Sequence, residues 1–461
     1  MWGLGAGVVV LALFGCTNLF IDSERPAPTV PPASSGGYVM VFEGRDIPGV
    51  ALEGIQAAGG EVIRALPQIG VVFVRAQDPE FPAHVAGLTG VEEVGPNKAH
   101  SLPPMEAVER MKPEQQDIED NVFYVLFQWD IKRVGGIADT WAVEAGDGVT
   151  VAVLDIGVDY LHMDIAPNYA YGRSYINPAD LPPGYVLVEP GDERDYHGHG
   201  THVAGAIAAP ITEGLIIGVA PEARIANYKV LALIRDPEGN VDGMGFDSWI
   251  IPAIVDAADA GCQVINMSLG GDYDLSNPDD LAGFLAYCRA TEYAWQQGAL
   301  VVAAAGNEGE DFSQGPIRHT PSATPHALSV SATGPFDELA SYSNYGAFTA
   351  DFAAPGGDIL PESEWYDDPA TPWPDWVADY LCFSALFFDG SYHWYGWMAG
   401  TSMAAPKVSG VAALIYAHFP GIDPEGVVRV LERSSDDIGA PGYDFQYGWG
   451  LVDAYRAIVG P

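Results

Sequence analysis

Acidic residues outnumber basic ones by 62 to 20 over 461 residues, for a formal net charge of −42. A surface of that sign excludes non-specific nucleic-acid binding, which needs a basic footprint. Apolar residues make up 48% of the chain, enough for a large core, and the length calls for two folded units or one large unit with extensions.

The five lysines are Lys98, Lys112, Lys132, Lys229 and Lys407. A carboxylate-rich, lysine-poor surface suits a saline exterior or bound calcium, and equally an ordinary acidic exported protein. Residues 1–21 carry an apolar run, Val8 to Phe14, that is too short to span a bilayer but fits a signal segment. Leu13-Phe14-Gly15-Cys16 resembles a bacterial lipobox, which implies a lipid on Cys16 as the sole membrane contact. The expected location is therefore outside the cytoplasm, either lipid-anchored at the cell envelope or extracellular. Spending Cys16 on lipid leaves Cys262, Cys288 and Cys382, hence at most one disulfide, with the pairing open.

Residues 22–37, "DSERPAPTVPPASSGG", read as a Pro/Ser/Gly linker. Over 38–98 the order is strand, helix, strand, helix, strand: a small α+β unit. A charged, Pro-rich linker follows over 99–124. From 147 onward, nearly continuous apolar runs ("GVTVAVLD", "ARIANYKVLA", "CQVINMSLGG", "ALVVAAAGNEG", "HALSVSAT") alternate with helical patterns. Strands apolar on both faces predict a parallel α/β sheet flanked by helices on both sides. Several of these runs end in polar or glycine residues, and ligands bind such sheets at the carboxyl ends of the strands.

"DYHGHGTHVAG" places His197, His199 and His202 within six positions. Imidazole serves as a metal ligand or as a general base. The spacing of "HGHGTH" suits a zinc site, although the chain supplies no second cluster of that kind. Ser402 stands among small residues at the start of a helical pattern. Pro406 lacks the N–H that would bond the Ser402 carbonyl, so the helix must tolerate a break in its first turn. Backbone N–H groups at such a helix start favour a developing anion. Asp155 ends "VTVAVLD", where it orients a histidine or caps a turn. Asn307 ends another strand and offers an amide donor.

Together "AVLDIGVD", "HGTHVAG", "AAAGNEG" and "GTSMAAP" resemble the aspartate, histidine, oxyanion-asparagine and serine motifs of the subtilisin-like serine proteases, in that family's order. The resemblance covers roughly 125–461. It implies a subtilisin-like fold and a serine endopeptidase, with Asp155, His199 and Ser402 as the triad and Asn307 in the oxyanion hole. His197 and His202 would then be bystanders. It further implies polypeptide substrates running between Gly243-Met244-Gly245 and Ser268-Leu269-Gly270, with Ala304 and Gly306 lining an uncharged side-chain pocket. By the same resemblance, 38–98 is a ferredoxin-like inhibitory prodomain acting within its own chain, processing falls between about 98 and 125, and the peptidase domain, expected to be monomeric, spans 125–461. Structural calcium is implied as well, with Asp164 as a ligand beside the loop 210–216.

The chain departs from the family over 358–395, a long acidic and aromatic stretch that reads as a lid or rim, or as a surface excursion packing on itself. Two rival readings stand beside the peptidase. One is a non-catalytic relative that binds peptides in the same cleft, and the other is the zinc enzyme.

Overall fold

The computed structural model describes residues 36–102, 109–111, 121–212, 214–347, 349–359 and 376–460. The Cys16 segment, nearly all of the 22–37 linker and the middle of the 358–395 stretch lie outside the described residues.

The N-terminal unit runs β1 (Gly37–Phe42), α1 (Gly49–Ala57), β2 (Glu61–Leu66), β3 (Val71–Arg75), α2 (Phe81–Val85) and β4 (Val91–Pro96). Its strands form one antiparallel sheet in the order β2-β3-β1-β4, a ferredoxin-like split arrangement. Successive side chains leave a strand on opposite faces. Met40, Phe42, Val72 and Val74 meet Ile55 and Phe81 of α1 and α2. Val39, Val41, Val71 and Phe73 face the other way, into a cluster with Ile250, Ile254 and Tyr287 of the larger unit. Burial on both faces is why β1 and β3 read as unbroken apolar runs.

Two short strands follow, β5 (Ala99–Ser101) and β6 (Glu109–Met111), then the short helices α3 (Val122–Phe127), α4 (Trp129–Arg133) and α5 (Ala138–Trp141). The larger unit continues with β7 (Thr150–Asp155), β8 (Tyr169–Ser174), β9 (Val186–Leu187), α6 (His199–Ala208), β10 (Arg224–Lys229), β11 (Ala232–Arg235), β12 (Val241–Phe246) and α7 (Asp247–Asp259). Next come β13 (Val264–Met267), β14 (Gly271–Asp274), α8 (Pro278–Gln296), β15 (Leu300–Ala304), β16 (Ile317–Thr320), β17 (Ala327–Thr333) and β18 (Phe352–Pro355). The chain closes with α9 (Trp376–Tyr380), β19 (Cys382–Phe388), β20 (His393–Met398), α10 (Thr401–His418), α11 (Pro424–Ser434) and α12 (Ala454–Val459).

Seven of these strands make one parallel sheet in the order β18-β17-β15-β13-β7-β10-β8. Val151 and Val153 of β7 join the cluster holding α6 and α10, while Ala152 and Leu154 join the one holding α7 and α8. The helices therefore cover both faces. Strand order reverses between β13 and β7, and a crevice opens there at the carboxyl ends.

Three stretches depart from expectation. The small unit holds one strand more than the order read from the sequence, since β2 and β3 pair where a single strand is expected. The segment expected as a linker over 99–124 supplies β5, β6 and the start of α3. The 358–395 stretch is no simple surface excursion: its described part folds into the hairpin β19–β20, to which β6 adds a third strand. Phe383, Tyr395 and Trp397 pack there with Phe123 and Phe127. Cys382 through Leu386 are buried, and a Cβ at Gly198 would meet Leu386 at 3.2 Å, so the hairpin sits directly against the His199 turn. Cys262, Cys288 and Cys382 are free thiols.

Candidate active site

Three adjacent strands of the large sheet end in the crevice: β7 at Asp155, β13 just before Ser268, and β15 just before Gly306-Asn307. His199 opens α6 and Ser402 lies in the first turn of α10. His199 Nδ1–H donates to Asp155 Oδ1 at 2.8 Å, and both side chains are buried. The same oxygen accepts the Ile156 N–H at 2.7 Å. A buried carboxylate and imidazole are costly apart and stabilise each other when paired. Burial pulls the His199 pKa down, but the Asp155 charge and hydrogen bond, with Asp195 behind them, outweigh it and hold the value above the usual 6.5.

The turn before His199 is tied by Asp195, whose Oδ1 accepts the N–H groups of His197 and Gly198 at 2.7 and 2.8 Å. Its Oδ2 accepts the N–H and hydroxyl of Thr201 at 3.0 and 2.7 Å. The sequence reading passed over this residue. Its signal was present, as the opening aspartate of "DYHGHGTHVAG", two to six residues ahead of the donors it gathers.

Ser402 Oγ donates to the Ser268 carbonyl at 3.2 Å. In the reverse direction Ser268 Oγ–H donates to the Ser402 carbonyl at 2.8 Å. That carbonyl is the one Pro406 leaves without its helical partner, so Ser268 repairs the break. Asn266 Nδ2 donates to Ser268 Oγ at 3.1 Å, and Ser409 Oγ donates to Asn266 Oδ1 at 2.8 Å, completing a buried chain under the helix start. Lys407 donates to the next carbonyl, that of Met403, at 2.9 Å and pairs with Asp130 at 2.7 Å.

Asn307 Oδ1 accepts from Thr401 twice, from N–H at 2.9 Å and from Oγ1 at 2.7 Å. Thr401 Oγ1 in turn accepts the Gly306 N–H at 3.1 Å. With its oxygen so held, the amide presents its Nδ2 donors on the other side, beside Gly400. Thr401 is a second residue that the sequence reading quoted but gave no role.

The three histidines do different things. The His197 ring centroid stands 6.4 Å from that of His199. His202 Nε2–H donates to the Cys382 carbonyl at 3.1 Å, and burial, with the nearby Lys407 charge, pushes its pKa down to about 3. Among the described residues, no three His, Cys, Asp or Glu side chains converge as a metal-holding group.

Gly243, Met244 and Gly245 lie on β12, paired with the chain's own segment β5. Ser268 and Leu269 are buried, Ser268 being turned to Ser402 as described. Ala304 is core, packed in the cluster with α10. His319 stands beside the glycines of the expected uncharged pocket: Cβ atoms built at Gly270 and Gly306 would lie 2.4 Å and 2.9 Å from its ring, and the one at Gly306 would be nearer still to Asn344 Nδ2 and Glu308 Oε2, at 2.4 and 2.7 Å. Asp272 accepts from His319 Nδ1 at 2.8 Å, and acidic neighbours hold the His319 pKa up against burial.

Asp164, the expected calcium ligand, is buried and accepts protein donors on both oxygens. Its Oδ1 accepts the Leu215 N–H at 2.8 Å, and its Oδ2 accepts the Tyr395 hydroxyl. A carboxylate has about four lone-pair sites, so these bonds do not fill it, and calcium at Asp164 remains a proposal. The nearby loop carbonyls accept protein donors as well: Ile211 from Asn121 Nδ2, Gly214 from the Asn121 N–H, and Leu215 from the N–H groups of Phe123 and Tyr124. Burial pushes the Asp164 carboxyl up to about 7, against the lowering effect of its hydrogen bonds.

Comparison with known proteins matches residues 146–450 to the subtilase family. The chain is 32% identical over 337 residues to the thermophilic serine proteinase of Bacillus sp. strain AK1, covering 73% of this chain and 65% of that one. It is 28% identical to fervidolysin of Fervidobacterium pennivorans, covering 98% of this chain and 65% of that one. The matches thus span less than two thirds, 65%, of the length of both relatives. The crystal structure of the epidermin leader peptide processing serine protease from Staphylococcus aureus superposes with a TM-score of 0.71 at 21% identity, covering 92% of this chain and 97% of that one, a likeness of fold.

Proposed function

The chain belongs to the subtilase family, and from that premise we propose that it is a serine endopeptidase made as a proenzyme, with Asp155, His199 and Ser402 as its triad. The observation that carries the reading is the buried Asp155–His199 pair, 2.8 Å apart, at the crevice that the Ser402 helix enters. A peptide-binding relative needs no such pair placed together with Asn307 and a serine at a helix start.

In the proposed reaction, Ser402 Oγ turns from the Ser268 carbonyl to His199 Nε2 and attacks a peptide carbonyl carbon. His199 takes the hydroxyl proton, and Asp155 fixes the tautomer and stabilises the imidazolium. The oxyanion accepts from Asn307 Nδ2 and the Ser402 N–H. Collapse expels the amine, which takes the proton from His199. Water, deprotonated by the same histidine, attacks the acyl carbon, and the ester bond breaks as Ser402 Oγ takes the proton back from His199.

The unit over 38–98 is proposed as the inhibitory prodomain. Its support is position: its sheet covers α7 and α8, and the segment after it, β5, runs along Gly243–Gly245. Arg289 of α8 donates to the carbonyls of Phe42, Gly44 and Ile69 at 2.6, 2.7 and 3.2 Å, anchoring the unit. Export, and lipid on Cys16, belong to this proposal on the strength of sequence alone. No helix among the described residues is long and apolar enough to cross a membrane. Casein hydrolysis after release of the N-terminal unit, abolished in Ser402→Ala, is the expected result. A processed, folded chain that leaves casein intact would overturn the reading.

A further inference from the structure

The segment after the small unit enters the crevice as an extended strand with its side chains in built pockets. β5 pairs antiparallel with β12, Ala99 opposite Phe246, His100 opposite Gly245 and Ser101 opposite Met244. The Leu102 N–H continues the ladder to the Gly243 carbonyl at 2.8 Å. Ala99 enters an apolar cluster with Ile234, Met244, Phe246 and Trp249. Lys98 and His100, on the opposite face, turn toward β14 and α8.

His100 is 2% exposed, yet it lies in polar surroundings. Its Nε2–H donates to Asp247 Oδ1 at 2.6 Å, and the phenol oxygens of Tyr273 and Tyr287 stand 3.2 and 3.3 Å from the same nitrogen. Tyr273 also donates to Asp247 Oδ1 at 2.6 Å. Gly271 makes room for the ring, since a Cβ there would lie 2.5 Å from His100 Nδ1. Two residues earlier, Lys98 Nζ meets Asp280 Oδ2 at 3.1 Å and the Asp272 carbonyl at 2.5 Å, 4.4 Å from the centre of the Tyr273 ring. Asp247 Oδ2 accepts the Lys98 N–H at 3.0 Å, so one carboxylate reads both backbone and side chain.

An apolar side chain opposite Gly245 would leave the fully buried Asp247 carboxylate without the imidazole donor. The pocket is thus a selective one. We propose that Asp247, Tyr273 and Tyr287 form a specificity subsite for histidine, with Asp280 taking a lysine two residues before it, so that substrates carrying an extended Lys-small-His segment are preferred. The chain's own Lys98-Ala99-His100 is the first occupant. This inference rests on the endopeptidase reading for its substrates, but not for its pocket.

The test uses the processed chain and internally quenched peptides built on Lys-Ala-His-Ser-Leu with one common downstream segment. Replacing the histidine by alanine should lower kcat/KM at least tenfold, which is about 1.4 kcal/mol. In Asp247→Ala the ratio between the two peptides should fall toward one. A ratio near one in the unsubstituted chain, while casein is hydrolysed, would overturn the proposal. A second arm needs no catalysis: in the full-length chain, His100→Ala should speed hydrogen exchange at the Leu102 amide at least tenfold. Unchanged exchange would also overturn it. Faster exchange without casein hydrolysis would keep the subsite and remove only the peptidase.

Discussion

Thr401→Val replaces a hydroxyl by a methyl group of similar size at a fully buried position. It deletes the 2.7 Å bond to Asn307 Oδ1 and the acceptor for the Gly306 N–H, while the 2.9 Å bond from the Thr401 N–H to Asn307 remains. Losing an oxyanion-hole donor outright costs about 10²–10³ in kcat, or about 2.7–4 kcal/mol, as found for the corresponding asparagine of subtilisin. Thr401→Val removes one of two restraints on the amide rather than the amide itself. A net hydrogen bond is worth about 0.5–1.5 kcal/mol, so kcat should fall about two- to tenfold with KM within about twofold. Asn307→Ala should show the full loss. In the Asn307→Ala background, Thr401→Val should cost almost nothing more in kcat, because there is no amide left to orient. Steady-state kinetics on one peptide substrate with all four proteins reads this cycle. Full additivity of the two losses would refute the account of Thr401 as a positioning residue, and so would failure of Thr401→Ser to restore kcat.

The acid limb of kcat/KM should have its midpoint above the usual imidazole value of 6.5, because His199 must be neutral to accept a proton and its acidic neighbours hold its pKa up. Asp195→Asn should shift that midpoint downward, and an unmoved or rising midpoint in the pH profile would contradict this. Asp164 binds a proton in the folded chain up to about pH 7 that the unfolded chain releases near 4, so its contribution to stability falls as pH rises through that window. Melting temperatures of Asp164→Asn should accordingly vary less between those pH values, and equal variation in the two proteins would contradict this. Asp130 and Lys407 are paired at 2.7 Å with at most 1% of either side chain exposed, so Asp130→Ala should cost about 3–5 kcal/mol in urea unfolding, while Asp130→Leu with Lys407→Met should be close to neutral. Equal destabilisation by the single and double variants would contradict a stranded buried charge.

The parallel sheet was legible because buried strands write themselves as short apolar runs with polar ends. The same ends gave Asp155 and Asn307, and Pro406 announced a carbonyl in need of a donor. What it could not announce was the donor, because Ser268 is 134 positions away in sequence. Thr401 was hidden in the same way: its partner Asn307 lies 94 positions away, whereas Asp195 binds groups only two to six positions on and was legible in principle. The partners of Asp164, Leu215 and Tyr395, could not be read from its spacing to Asp155, because Tyr395 comes from the hairpin that sequence left undecided. His319 escaped because its neighbours Gly270 and Gly306 lie in separate loops, after β13 and after β15, and only folding brings an imidazole beside both. The 99–124 stretch looked like a linker by composition, yet Ala99–Ser101 gains its ladder from β12 rather than from its own propensity.

Labelling of the processed chain with a fluorophosphonate, followed by mapping of the modified peptide, bears most directly on the central claim. The account predicts one adduct, on Ser402, that disappears in His199→Ala. A folded, processed chain that takes no label, or that takes it equally without His199, would contradict an activated serine at this crevice.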